Sequence, residues 1–125
     1  MKKPEDSFFK GRLRSLKFAF KGAWLLVSTE ASIKVQIAIA ILVSILGFIM
    51  QLTAQEWLFQ CLAIGLVLVV ESLNTAIEKL CDFIHPDFHK RIGFIKDISA
   101  GAVAFAAIIA IIIGLIIYLP KFFSF

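Results

Sequence analysis

The stretch 57–78, WLFQCLAIGLVLVVESLNTAIE, decides how this chain folds. Its first part, Trp57 to Val70, is predominantly apolar and as a helix covers only about 21 Å. The hydrocarbon core of a bilayer is about 30 Å thick. A crossing helix that starts at Trp57 must therefore carry Glu71, Ser72, Leu73, Asn74, Thr75 and Ala76 in with it. A carboxylate at that depth costs a few kcal/mol unless a partner, water or a metal compensates. Glu71 is a candidate functional residue on that ground alone.

The composition around this stretch places the whole chain in a membrane. Of 125 residues 60% are apolar, and the mean hydropathy is +0.92. An ordinary soluble domain has about half apolar residues and far more surface charge. Thirteen phenylalanines stand against one tyrosine, so most rings need no polar contact with water. The length allows one domain, 1–125, of all-α membrane class.

Four helices are expected. Residues 8–29 read as an amphipathic surface helix: Phe9, Leu13, Leu16, Phe20, Trp24 and Val27 share one arc, and Lys10, Arg14, Lys17 and Lys21 gather beside it. Such a helix lies in the interface with its rings down and its ammonium groups among phosphates. Three spans follow at 33–53, 57–84 and 97–119, with a polar connection from His85 to Lys96 and Pro120 as the last stop. Lys2 and Lys3 add to the basic arm, which suits anionic lipid headgroups better than nucleic acid. No short apolar core with a small-residue cleavage site follows that arm, so no removable signal peptide is expected. Among the Lys and Arg residues only Lys121 lies outside the amino-terminal arm, the start of the first span and the 79–96 region, and the 51–56 link has none. The positive-inside rule then puts the amino terminus and the 85–96 loop in the cytoplasm.

Polar residues at the cytoplasmic end of the second span share one face. With about 100° per residue, Asn74, Thr75, Glu78 and Asp82 all fall within about 60° of Glu71, on a stripe about 16 Å long. One Asn and one Thr would serve as glue between helices. Three acids repel one another unless a cation joins them. Oxygen-only donors suit a hard divalent ion such as Mg²⁺, which takes few carboxylates together with phosphate oxygens. Glu30 adds a fourth acid, and Lys90, Arg91 and Lys96 lie in the facing loop. The set points to a phosphorylated ligand. His85 and His89 read as surface loop residues, and Cys61 and Cys81, about 30 Å apart on one helix, as packing residues without a bridge. Small residues at Ser99, Ala100, Gly101, Ala102 and Ala104 read as a close helix contact.

No GxxxxGK[ST] loop, GxGxxG turn, or protein-kinase signature is present, so neither a P-loop nor a protein-kinase cleft holds a nucleotide here. Two other classes compete. A small oligomeric channel or transporter would spread its acids through the membrane depth, and none lies between Lys34 and Gln51, in the outer half of the second span or in the third span beyond its first residue, Asp97. A scaffold without turnover would not require acids on a shared face.

The segment ESLNTAIE at 71–78, then Asp82, His89, Lys96-Asp97 and Ala100-Gly101-Ala102-Val103, resembles the signature of the prokaryotic diacylglycerol kinase family, which includes undecaprenol kinases. Ser15, Ala19, Lys21-Gly22 and Glu30 resemble that family's first block, so the resemblance covers nearly the whole chain. It implies an integral membrane lipid kinase that moves the γ-phosphate of ATP to a lipid hydroxyl. Diacylglycerol is the expected acceptor and undecaprenol the alternative. It further implies Glu71 as general base, Glu30 and Glu78 as ligands of Mg²⁺, and Asn74 near the transferring phosphoryl group. Lys96 is implied on the ATP phosphates, with Asp82, Asp97 and Lys21 around the nucleotide. Family members are homotrimers with sites shared between subunits, which implies the same here. Lys34 and Gln36 depart from the arginine and histidine of many undecaprenol-type members, whereas the Ala-Gly-Ala-Val run leans toward them.

Overall fold

The computed structural model describes residues 7–123. Lys2 and Lys3 of the basic arm lie outside the described residues. Within them the protein is all-helical: α1 (Phe8–Thr29), α2 (Ala31–Ile49), α3 (Ala54–Ile84) and α4 (Lys90–Phe123). The last three are long and apolar enough to cross a membrane. The chain forms two compact units, Met1–Lys34 and Val35–Phe125.

In the first unit, Ser7 caps α1 by accepting from the Lys10 amide at 3.2 Å. Ser15 returns its hydroxyl to the Gly11 carbonyl at 2.9 Å, which lets a polar residue sit in the helix without an unmet donor. Phe9, Leu13, Leu16, Phe20 and Trp24 are exposed along α1. Glu30 leaves the helical region at φ −99°, ψ 118°, and its amide closes on the Leu26 carbonyl at 3.1 Å. The link to α2 is thus a single residue, and α2 begins at Ala31 rather than at 33.

At its other end α2 stops four residues earlier than the hydropathy suggests. Gln51 takes φ 54°, and its amide reaches the Phe48 carbonyl while that of Leu52 reaches Gly47 at 3.1 Å. These are the bonds of a Schellman ending, with a glutamine in the left-handed position usually held by glycine. The turn folds Leu52 and Trp57 onto Gly47, where a Cβ would stand 2.8 Å from the indole and 3.0 Å from Leu52. Thr53, expected inside the first span, instead opens α3. Its hydroxyl accepts from the Glu56 amide at 3.2 Å and its own amide donates to Glu56 Oε1 at 2.9 Å, a reciprocal capping box.

The 31-residue α3 is about 46 Å long and exceeds the hydrocarbon core. It ends at Ile84 because Pro86 pushes His85 out of the helical region, to φ −150°, ψ 90°. The polar connection is shorter than 85–96. Lys90 to Lys96 are already helical, since the His89 ring caps α4 by accepting the Arg91 amide at Nδ1, 3.1 Å away. Nor does Pro120 end α4, which runs on to Phe123. A proline so near the carboxyl end removes one ladder bond, and Lys121 just beyond it is tied to Glu56 at 3.1 Å.

α3 and α4 form the packed antiparallel pair. Two ion pairs bracket it, Glu56–Lys121 at one end and Asp82–Lys96 at the other. Their spacing is about 39 Å along α3 and about 38 Å along α4. Nearer the first end, Tyr118 donates to Gln60 Oε1, and both residues reach the Val43 carbonyl of α2, at 3.3 and 3.4 Å. Gln60 is 4% exposed, and this network satisfies an amide that would otherwise lie in apolar surroundings. Phe105, Ile111 and Ile116 face outward from α4, the pattern of a surface met by lipid or another apolar partner.

The small-residue run of α4 divides. Ser99 is buried, but a Cβ at Gly101 would meet nothing within 4 Å. The expected close contact is therefore not made at Gly101 within one chain. Cys81 is buried as expected, whereas Cys61 is exposed and packs against little.

Candidate functional site

The last turns of α3 carry the site. Leu80 and Leu73 face outward, and Asn74, Thr75 and Cys81 are buried on the opposite side, so the helix turns its polar residues inward. Glu71 is half-buried at the deep end, while Glu78 and Asp82 are exposed at the shallow end. Glu71 lies about 16 Å below Asp82 along the axis and makes no hydrogen bond or ion pair with the described residues.

Asn74 is 8% exposed, and its Nδ2 donates to Glu78 Oε1 at 3.2 Å. An ionised carboxylate only accepts, so this bond fixes the amide's orientation and leaves Oδ1 as the group facing elsewhere. That oxygen is buried and has no hydrogen-bond partner among the described residues. A buried acceptor left unmet costs about 1–3 kcal/mol, which marks the position as one that a ligand, water or second chain completes.

The expected stripe of acids is present on one helix, but it splits into two pairings. Glu78 turns to Asn74, and Asp82 turns to Lys96 of α4, whose ammonium lies 2.6 Å from Oδ1. Among the described residues no three His, Cys, Asp or Glu side chains meet as a metal site. The donors that are present, Glu71, Glu78 and the stranded Asn74 oxygen, are all oxygens. Of these, Glu78 and Asn74 stand together, and their oxygens are of the type a hard divalent ion takes alongside phosphate and water, while Glu71 lies two turns deeper on α3.

Asp97 is exposed at the second turn of α4. Glu30, half-buried, and Lys21, exposed, belong to the first unit. The Nδ1–H of His85 donates to the Asp87 carbonyl at 2.8 Å, and its ring stands 5.0 Å from that of His89. The sequence predicts both as surface loop residues, and His89 also caps α4. The capping role of His89 was signalled by its position just before the periodic apolar run of α4. A cavity of about 460 Å³ among α2, α3 and α4, lined by residues such as Ala63, Val67 and Gly114, holds no acid or base.

A half-buried acid, a buried amide and a lysine-bound aspartate on a membrane span define a polytopic helical membrane protein with a polar site at one end. The sequence matches the prokaryotic diacylglycerol kinase family over residues 17–118, and the chain belongs to that family of membrane lipid kinases. It is similar to an undecaprenol kinase of Bacillus subtilis, at 41% identity over 93% of this chain and 91% of that one. It is also similar to a diacylglycerol kinase of Synechocystis, at 30% identity over 90% of this chain and 65% of that protein's length. A diacylglycerol kinase of Escherichia coli is 28% identical over 80% of this chain and 82% of its own.

Proposed function

We propose that this protein transfers the γ-phosphate of ATP to the hydroxyl of a membrane lipid alcohol, at the end of α3 that carries Glu71, Asn74 and Glu78. The observation that carries this reading is the stranded, buried Asn74 oxygen beside Glu78, on the span whose submerged acid has no partner. Such a group persists where a ligand meets it.

Phosphoryl transfer asks for positioning, charge neutralisation and a proton acceptor. Glu71, at hydrocarbon depth, is placed where a lipid hydroxyl arrives and takes its proton as the oxygen attacks phosphorus. Glu78 would hold the divalent ion from the shallow side, with Asn74 keeping its carboxylate oriented. When bound, Mg²⁺ supplies neutralisation of charge on the phosphates. Lys96 adds positive charge from α4, and Asp97 stands one residue further on for the nucleotide. The roles of Glu30 as a second metal ligand and Lys21 as a nucleotide contact rest on the family resemblance. The same resemblance supports a homotrimer. Lysine and arginine placement supports a cytoplasmic site and amino terminus, and the exposed apolar row of α1 supports its lying in the interface.

Undecaprenol is the favoured acceptor, with diacylglycerol as the alternative. Its support is the 41% identity to the Bacillus undecaprenol kinase, against 28–30% for the diacylglycerol kinases. Purified protein with Mg-ATP and each lipid alcohol in turn tests both statements. ADP release should require lipid, be greater with a polyprenol, vanish in Glu71→Gln and survive in Lys121→Ala. Intact protein that turns over neither lipid would overturn the proposal, and a preference for diacylglycerol would restore the other acceptor.

A further inference from the structure

The family resemblance sets Asp82 and Lys96 each beside the nucleotide, yet the structure engages them with each other. Oδ1 of Asp82, in the last turn of α3, holds the Lys96 ammonium at 2.6 Å. The two residues approach because α4 returns antiparallel to α3 after the short His85–His89 turn, which brings the second turn of one helix against the last turn of the other.

We propose that Asp82 is a positioning residue: it aims the Lys96 ammonium at the phosphates and does not itself touch the nucleotide. The inference rests on the reading of Lys96 as a phosphate contact. An ionised carboxylate and a phosphate oxygen are both acceptors, so Asp82 cannot bond to the phosphates directly. Placed beside them unpaired, it would repel them. Paired with Lys96 it does neither.

The ammonium has three donors, and Asp82 occupies one, which leaves two for phosphate oxygens. A lysine stem is long and flexible, and a contact made by a free lysine must first lose that freedom. With Asp82 holding the ammonium, the loss is met before the nucleotide arrives. The Lys96 side chain is the more covered partner, 36% exposed against 59% for Asp82, and its ammonium stays open to an incoming anion. Glu78, one turn earlier on α3, also acts electrostatically on Lys96, so the held charge lies on the side that carries Glu78 and Asn74.

Calorimetric titration of Mg-ATP into the full-length protein in nanodiscs tests this, with Asp82→Asn, Lys96→Met and the double variant. Each single change should weaken binding about tenfold, the scale of one charge-assisted hydrogen bond. The double variant should bind no worse than Lys96→Met alone, because Asp82 then has nothing to position. Asp82→Glu keeps the charge and should recover most of the affinity, which separates lost positioning from lost folding. The Asp82→Asn penalty should be equal for GTP and 2′-deoxy-ATP. A double variant weaker than Lys96→Met by the full Asp82→Asn factor would overturn the proposal in favour of direct contact. So would a penalty that disappears with a changed base or sugar. Loss of affinity in Lys96→Met with none in Asp82→Asn would defeat this inference alone, whereas wild-type affinity in Lys96→Met would defeat the phosphate role of Lys96 itself.

Discussion

Nδ2 of Asn74 donates to Oε1 of Glu78 one helical turn away, across 3.2 Å, and that bond decides which atom of the amide faces the rest of the site. Asn74→Asp keeps the shape and replaces the donor with a second acceptor next to a carboxylate. Turnover should fall at least tenfold, and the Mg²⁺ concentration needed for half-maximal rate should change, because Glu78 loses its orienting partner. Kinetics across a Mg²⁺ series, with wild-type and variant in the same nanodiscs, would show it. An unchanged Mg²⁺ dependence would separate Asn74 from the metal-binding acid.

Glu71→Gln should move activity and stability in opposite directions. The amide cannot take a proton from the lipid alcohol, and general-base loss costs about 10²–10⁴ in rate. The same change removes an unpartnered carboxylate from hydrocarbon depth, so resistance to thermal or SDS unfolding should hold or rise. A variant that is both inactive and markedly less stable would make Glu71 a structural residue.

Gly47→Ala should destabilise the α2–α3 turn by about 1–3 kcal/mol, because the new methyl meets the Trp57 indole. Its ideal position lies 2.8 Å from the ring. Trp57→Phe in the same chain should recover part of the loss. Unfolding of the single and double variants in mixed micelles measures both.

Gln51→Gly should raise stability by about 1 kcal/mol or less, since a left-handed φ of 54° strains any residue with a Cβ. Loss of stability in that variant would mean the Gln51 side chain makes a contact that outweighs the strain.

Tyr118→Phe leaves Gln60 Oε1 buried without its donor and should cost about 1–3 kcal/mol. Adding Gln60→Leu should return part of it, as an apolar pair needs no donor. An additive double variant would show that the two residues act separately.

Hydropathy and charge placement made the three spans legible, because apolar runs of that length have few other uses. The ends were less so. The left-handed turn at Gln51 has no glycine to announce it, and the Thr53–Glu56 capping pair straddles the end of the first span as read at 33–53. Pro120 reads as a stop, yet a proline in the last turn costs little. The stripe from Glu71 to Asp82 followed from helical spacing alone. Its division into Asn74–Glu78 and Asp82–Lys96 did not, because the second pairing depends on how α4 returns against α3. The joint between Gln60, Tyr118 and the Val43 carbonyl depends on three helices at once and leaves no local signal.

The charged clasps at Glu56–Lys121 and Asp82–Lys96 make the α3–α4 hairpin a gauge of bilayer thickness. Each clasp needs water, and their separation of about 38–39 Å exceeds a hydrocarbon slab of about 30 Å by about 8–9 Å, or about 4 Å at each face. In a thicker, longer-tailed membrane one clasp must sink or the hairpin must straighten, at fractions of a kcal/mol per ångström. In a thinner one Glu71 rises toward the headgroups and away from the level at which a lipid alcohol presents its hydroxyl. Tail length of the host lipid thereby becomes a variable that the hairpin converts into the working depth of its acid.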